Sequence, residues 1–195
     1  MDDIIKLFQK RRSCRKFKTH PIESRIIDEI TEAGQYAPSG GNNKTVRIII
    51  FQNRDLIQEL EKIAEDEFAA MEPGPDTYKS LRTSILKSKE GGYHFTYGAP
   101  VLILICNKKD YGNSMADCAC IAENMMLAAA AYQIGSCYVN QIHWLTESRA
   151  VREFLTRTGF QDDENVYCGI VLGYPEEPGF YEKKRSVKKN IVTFV

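Results

Sequence analysis

Three arginines and a serine lie close together near the start of the chain, in the run Arg11-Arg12-Ser13-Cys14-Arg15. A guanidinium group can donate two parallel hydrogen bonds to a phosphate, and a serine hydroxyl can donate one more. The run therefore predicts a phosphate-binding site. The same residue types also form ordinary solvated basic segments, and the run taken alone does not separate these two interpretations.

Two further segments have residues that suit a flat ligand carrying a phosphate. Residues 37–42 read APSGGN, and such small residues let the backbone approach a ligand closely. Asn42 adds a donor and an acceptor, although a plain helix-to-strand turn has the same composition. Near the end of the chain, Lys183 and Arg185 follow the segment Gly173–Pro175. A Lys and an Arg two positions apart can point the same way and contact one phosphate.

Several other chemistries lack the residues that they need. The sequence has no GxGxxG after a predicted strand and no GxxxxGK[ST], so neither motif supports nucleotide binding. His20, His94 and His143 are isolated from one another in the sequence. Cys118 and Cys120 have no second cysteine pair and no histidine nearby, so a metal site has little support.

Hydrophobic periodicity predicts the elements that must position these residues. The predicted helices are a short one after Asp3, then Pro21–Gln35, Asp55–Ala70, Asp117–Gln133, and one from Thr146 or Glu147 to Gly159. The predicted strands are Thr45–Phe51, Val101–Cys106, Cys137–Ile142 and Val166–Leu172, with a β-rich end at Ile191–Val195. The helix at Asp117–Gln133 is apolar nearly all round, which indicates a long, buried central helix.

The order of these elements indicates one α+β domain over residues 1–195. Helices and strands are mixed without strict βαβ alternation, and the sequence shows no repeat, low-complexity tract or linker. The segment 71–97 is the least patterned. It contains Pro73-Gly74-Pro75 and Gly91-Gly92, which are turn signals, so we predict a mobile cover segment there.

Composition narrows the classes of partner. Lys plus Arg and Asp plus Glu both total 26, so the formal net charge is zero and gives no reason to expect nucleic acid or an anionic membrane. No apolar run approaches the ~20 residues of a membrane span. The first residues are acidic and then basic, the wrong order for a signal peptide. We therefore expect a cytoplasmic protein whose cysteines are reduced.

In this order, the three segments resemble the nitroreductase family, the flavin-dependent NAD(P)H oxidoreductases. RRSCRKF near the N-terminus resembles the RRSxRxF opening of that family, and APSGGN resembles its APSxxNxQPW segment. LGYPEEPGFYEKKR resembles its closing GYP…KxR segment. The resemblance spans nearly the whole chain. It implies a three-layer α+β fold in which helices flank a mostly antiparallel sheet.

The resemblance also implies an FMN site at the interface of a homodimer. Arg11, Arg12 and Ser13 match positions that hold the FMN phosphate and ribityl chain. Lys183 and Arg185 match the residues of the closing segment that contact the same phosphate. FMN would carry the redox chemistry, so no catalytic side chain is expected.

Other positions match the part of the family site around the flavin ring. Arg15 matches a basic residue near the N1–C2 carbonyl edge, where a cation favours the negatively charged reduced flavin. Asn140 and Gln141 match a strand end whose backbone N–H faces the flavin N5. The partner subunit supplies a loop, which corresponds here to Pro38, Ser39, Gly40 and Asn42. The implied activity passes hydride from NADH or NADPH through the flavin to a small organic acceptor, such as a quinone or nitro compound.

The sequence departs from the family after Asn42, where x-Gln-Pro-Trp is replaced by Asn43-Lys44-Thr45-Val46. Lys44 either adds a cation beside the ring or points to solvent. The departure leaves open an alternative function, a flavin-binding storage or sensor protein with low turnover. A nucleic-acid module that uses Lys183–Lys189 is opposed by the zero net charge and by the absence of interleaved aromatics.

Overall fold

The computed structural model describes residues 2–183 and 190–195. Its helices are α1 (Asp2–Lys10), α2 (Ser24–Gln35), α3 (Arg54–Ala69), α4 (Lys79–Glu90), α5 (Ser114–Ala131), α6 (Gln141–Trp144) and α7 (Arg149–Thr156). Its strands are β1 (Arg47–Phe51), β2 (Val101–Lys108), β3 (Gly135–Val139) and β4 (Glu164–Gly173).

The strands form one antiparallel sheet in the order β1-β2-β4-β3. The two inner strands, β2 and β4, are buried along nearly their whole length, which explains their almost continuous apolar sequences. Ile103 of β2 pairs with Ile170 of β4 at the centre of the sheet. β1 and β3 are the outer strands.

Side-chain alternation along β2 divides the interior into two cores. Leu102, Leu104 and Cys106 pack on one face of the sheet with buried residues of α3, α4, α6 and α7. The odd-numbered residues from Val101 to Ile105 pack on the other face, with α2 and α5. Helices thus cover both faces, and the predicted three-layer α+β fold with an antiparallel sheet is confirmed.

The long central helix is also confirmed as α5, which begins three residues before the predicted start. Met125, Ala122 and Ala129 of this helix are fully buried. Its neighbour α2 approaches closely at Gly34, where a Cβ atom would lie 2.8 Å from the Met125 Cγ atom. Glycine at this position therefore allows the two helices to pack directly against each other.

The predicted cover segment contains a regular helix that the sequence analysis did not foresee. α4 packs on α3 and buries Ser84, Ile85 and Ser88. Two of these three buried residues are serines, so the apolar stripe that predicts a helix is weak here. The sequence pattern of 71–97 therefore did not reveal α4. That the segment covers a site stays a prediction.

Some predicted boundaries move by a few residues. α2 begins at Ser24 rather than at Pro21. The predicted start of the helix near Thr146 was wrong, since α7 begins after Ser148, whose side chain accepts a hydrogen bond from the Val151 N–H (3.3 Å). β3 ends at Val139, so the residues that follow it leave the sheet.

The end of the chain differs from the predicted β-rich terminus. Residues 190–195 form no strand in the structure as described, and Ile191 and Phe194 are 97% and 94% exposed. Across residues 2–183 and 190–195, none of the helices combines the length and the apolar character needed to cross a membrane.

Candidate functional site

The N-terminal basic segment lies along the outer edge of the sheet. Ser13 forms a parallel bridge with Ser136 of β3, and the Cys14 N–H donates to the Ser136 carbonyl (2.7 Å). The Ser13 side chain itself is exposed. β3 therefore fixes the backbone of the segment and leaves its polar side chains accessible.

Arg12 connects this segment to the end of the chain. Its guanidinium donates a hydrogen bond to the Lys183 carbonyl and lies over the Phe180 ring, 5.6 Å from the ring centroid. The Lys183 ammonium group forms an ion pair with Glu177. The two segments that were predicted to bind one phosphate therefore meet, although 171 positions separate Arg12 from Lys183. Arg185 lies outside the described residues.

Arg11 is half-buried beside the central helix. Its Nε atom lies 3.4 Å from the Glu123 Oε1 atom, on the middle of α5. This ion pair anchors the C-terminal side of α1 to α5, since Arg11 directly follows α1.

Arg15 lies at the other end of the basic segment, on an open groove of about 360 Å³ that Cys14, Lys16 and Phe180 also line. The Arg15 Cζ atom is 5.9 Å from the centroid of the Tyr97 ring. Burial acts to lower the pKa of Arg15, but the electrostatic effect of Cys137 and a hydrogen bond to the Tyr97 hydroxyl outweigh it and raise that pKa.

The loop at residues 38–42 is attached to the start of α5. The Gly40 N–H donates to the Asp117 carboxylate (3.1 Å), and the Tyr111 hydroxyl donates to the Gly40 carbonyl (2.8 Å). Asp117 is buried in the first turn of α5, where the helix dipole favours a negative charge. Pro38 and Asn42 remain exposed on the surface of this loop.

The Lys44 side chain does not extend into solvent but folds back onto the end of α2, and that it adds a cation beside the ring stays a prediction. Its ammonium group donates to the Ala37 carbonyl (2.8 Å) and the Gln35 carbonyl (3.1 Å), at the C-terminal end of α2. These carbonyls lack partners within the helix, and a cation there also interacts favourably with the helix dipole. Lys44 thus closes the end of α2.

The loop and the basic segment are attached to different parts of α5. The loop is attached to Asp117 in the first turn of α5. Arg11 contacts Glu123, six residues further along the helix, and Ser13 pairs with Ser136, five residues after the last turn. Along α5, the structure therefore places Arg11 between the bridge at Ser13 and the loop that contains Pro38, Ser39, Gly40 and Asn42.

Asn140 and Gln141 lie directly after β3, where Gln141 begins α6. The buried Gln141 side chain accepts a hydrogen bond from the Asn140 N–H (3.1 Å) and donates one to the Tyr93 hydroxyl (3.0 Å). Tyr93 also shares a hydrogen bond with Ser84 of α4 (2.9 Å). Burial raises the pKa of Tyr93. The end of β3 is thus joined to the predicted cover segment by a buried polar network.

Sequence reasoning missed the residues that hold these segments in place, namely Tyr93, Tyr97, Tyr111 and Asp117. Asp117 had a usable signal, because an acid in the first turn of a mostly apolar, buried helix needs a polar partner. The tyrosines had none, since each contacts a residue distant in the sequence.

A separate cavity of about 190 Å³ lies beside the start of β2. Glu61, Thr96 and Val101 are among the residues that line it. None of the predicted cofactor-binding residues that the structure describes lines this cavity.

Neither cysteine of the predicted CxC pair has a metal-binding neighbourhood. Cys118 is buried and Cys120 is exposed, so the two thiols lie on different faces of α5. Among the described residues, no group of three or more His, Cys, Asp or Glu side chains is placed to hold a metal ion.

The antiparallel sheet with helices on both faces defines an α+β protein. The contact between Arg12 and Lys183 gives this protein a basic site at the edge of the sheet. Residues 8–174 match the Nitroreductase family, and the chain belongs to this family. The family suggested by the three motifs is thereby confirmed.

Individual relatives agree with this assignment. A putative NADH dehydrogenase/NAD(P)H nitroreductase of Archaeoglobus fulgidus is 26% identical over 188 residues, which cover 93% of this chain and 91% of the relative. A nitroreductase from Bacteroides fragilis, solved with bound FMN, is 31% identical with a TM-score of 0.88 over all of both chains. Another from Desulfitobacterium hafniense, also with bound FMN, is 27% identical with a TM-score of 0.84, over 100% of this chain and 99% of that one.

Proposed function

We propose that the protein is an FMN-dependent oxidoreductase that passes hydride from NADH or NADPH to a small organic acceptor, such as a quinone or nitro compound. The contact between Arg12 and Lys183 is the observation that carries this proposal. It joins the two segments that the family resemblance assigns to one phosphate. Membership of the nitroreductase family and the FMN-bound relatives support the same cofactor.

The residues present suit FMN. The Arg12 Nε atom is buried and has no hydrogen-bond partner among the described residues, so a polar ligand would satisfy it. The exposed Ser13 hydroxyl and the Arg11 guanidinium lie on the same segment, which gives a donor set for a phosphate. We therefore assign Arg11, Arg12, Ser13 and Lys183 to the FMN phosphate and ribityl chain.

The rest of the assigned site concerns the flavin ring. Arg15 would place a cation beside the pyrimidine edge. At Asn140 and Gln141 the donor would be the Gln141 N–H, at the start of α6, because the Asn140 N–H already donates to the Gln141 side chain. FMN supplies the redox chemistry when bound, so that a hydride leaves NAD(P)H and two electrons reach the acceptor. The protein itself binds and orients both molecules.

We also propose that the site is shared between two chains of a homodimer. Within one chain, the loop at 38–42 is attached to the first turn of α5, whereas the basic segment is attached to the middle of that helix through Arg11 and to β3 through Ser13. The loop would contact the flavin held by the partner, as the family resemblance implies. Its exposed Pro38 and Asn42 suit a surface that meets another chain.

The alternative of a storage or sensor protein with low turnover depended on the departure from the family at Lys44. Lys44 donates to carbonyls at the end of α2, so the departure does not point to a different ring environment. We therefore favour the enzyme. Steady-state oxidation of NADH or NADPH with a quinone or nitroaromatic acceptor separates the two functions, because a storage or sensor protein would show little turnover.

The cofactor is tested by denaturing the purified protein and separating the released flavin by chromatography. We expect FMN, since two cationic segments suit one terminal phosphate and no dinucleotide motif is present. If the protein is purified without flavin, reconstitution with FMN should give a yellow complex. Release of FAD, or no flavin binding after reconstitution, would contradict the proposal.

A further inference from the structure

Tyr97 has an unusual backbone conformation for its residue type. Its φ angle is 58°, in the left-handed region that bulky residues rarely adopt. Gln133 has the same φ angle, but it follows the end of α5, where this conformation commonly terminates a helix. Tyr97 instead lies seven residues after the end of α4, in a turn closed by a hydrogen bond from the Ala99 N–H to the Thr96 carbonyl (3.1 Å), in which Gly98 also has a positive φ of 72°. Glycine, asparagine or aspartate usually occupies the first central position of such a turn, so a tyrosine there is strained.

The turn that contains Tyr97 is held in place by acidic residues of α3. The buried Glu61 carboxylate accepts hydrogen bonds from the Thr96 N–H (3.1 Å) and the Thr96 hydroxyl (2.6 Å). Glu65 accepts another from the Tyr93 N–H (2.7 Å). Phe95 between them is fully buried. Strain of this kind persists only when the surroundings fix it, and it is concentrated at functional sites.

The side chain of Tyr97 reaches one of the predicted site residues. Its ring centroid is 5.9 Å from the Arg15 Cζ atom, within the range of a cation–π contact. Arg15 itself is exposed, and an exposed arginine samples many rotamers when it has no fixed contact. The contact with the half-buried tyrosine ring restricts the guanidinium to one region of the groove.

We propose that Tyr97 is a positioning residue that holds Arg15 in place, and thereby increases the preference of the site for reduced over oxidised FMN. This rests on the proposed function, because Arg15 is assigned to the flavin ring there. A cation that is already oriented stabilises the charge of reduced flavin without reorganising. A freely rotating arginine would stabilise that charge less effectively.

The test measures the midpoint potential of bound FMN in the wild type and in Tyr97→Leu, which removes the ring that contacts Arg15. We expect the preference for reduced FMN to fall about threefold to tenfold, where tenfold is ~30 mV for a two-electron couple. The free energy of unfolding of the apoprotein is measured in parallel. Tyr167→Leu is the matched control, because it also loses one ring contact, with the His143 ring (6.2 Å between ring centroids). Its potential should equal that of the wild type.

A double-mutant cycle shows whether Tyr97 acts through Arg15. In an Arg15→Ala background, Tyr97→Leu should produce no further change in potential. An unchanged potential in Tyr97→Leu, or an equal shift with and without Arg15, would overturn the proposal while FMN binding remained intact. A wild-type protein that binds no FMN would overturn the proposed function instead, and this inference with it.

Discussion

Single residues of the basic segment differ in what they contact, although the sequence presents them as equivalent. Arg12 contacts the closing segment at Lys183, Arg11 contacts Glu123 on α5, and Arg15 contacts Tyr97. The types of these residues predicted a phosphate site, but their partners are distant in the sequence. Periodicity therefore could not reveal which arginine faces which neighbour.

Arg11→Ala should weaken FMN binding selectively. A lost charge-assisted hydrogen bond to the phosphate costs about 1.5–3 kcal/mol, or roughly a 10- to 150-fold higher dissociation constant. Riboflavin, which lacks the phosphate, should lose much less affinity. Titration of the apoprotein with each flavin, followed by fluorescence, measures both constants.

The control for this substitution is Arg25→Ala. Arg25 is an exposed arginine of α2 that pairs with Glu29 on the same helix, so this variant removes the same charge elsewhere. Its affinity for FMN should be unchanged. Equal losses of FMN and riboflavin affinity in Arg11→Ala would instead mean that Arg11 acts on folding or on the ring.

Elements with strong periodicity were predicted well. α3, α5 and the two inner strands have long apolar stripes or runs, and their observed bounds lie within about three residues of the predicted ones. α4 was missed because serines occupy much of its buried face. The loop at 38–42 was recognised by its motif, but its attachment to Asp117 depends on tertiary contacts.

Two adjacent residues of α4 test whether this helix is part of the core. Ile85 is 2% exposed and packs in the core of α3 and α7, whereas Leu86 is 46% exposed. Ile85→Ala should lower the free energy of unfolding by about 2–5 kcal/mol, because it leaves a cavity. Leu86→Ala should change it by less than about 0.5 kcal/mol.

Urea denaturation of the apoproteins measures these differences. The comparison between neighbours on one helix removes any effect of general helix propensity, since both substitutions are to alanine. If Ile85→Ala were as mild as Leu86→Ala, the segment would be a loosely attached cover, as the sequence suggested.

For the whole molecule, a single chain leaves apolar groups exposed that a second chain would bury. Ile4, Ile5 and Phe8 of α1 are at least half exposed, as are Ile191 and Phe194. The outer edge of β1 has no neighbouring strand in the part of the chain that the structure describes. Exposed apolar side chains and open strand edges both favour association with another chain. The attachment of the two halves of the proposed site to different parts of α5 agrees with the same expectation.

Removal of residues 190–195 should therefore produce a monomer that no longer holds FMN. Burial of a large apolar side chain contributes about 1.5–3 kcal/mol, so the tail offers several kcal/mol to an interface through Ile191, Val192 and Phe194. Light scattering gives the oligomeric state, and flavin absorbance gives the cofactor content.

Deletion of Val195 alone is the control and should leave both the oligomeric state and the cofactor content unchanged. A truncated monomer that keeps its FMN would contradict a site shared between chains, because such a site needs the partner's loop. A truncated dimer would show that other surfaces, such as the apolar face of α1, join the subunits.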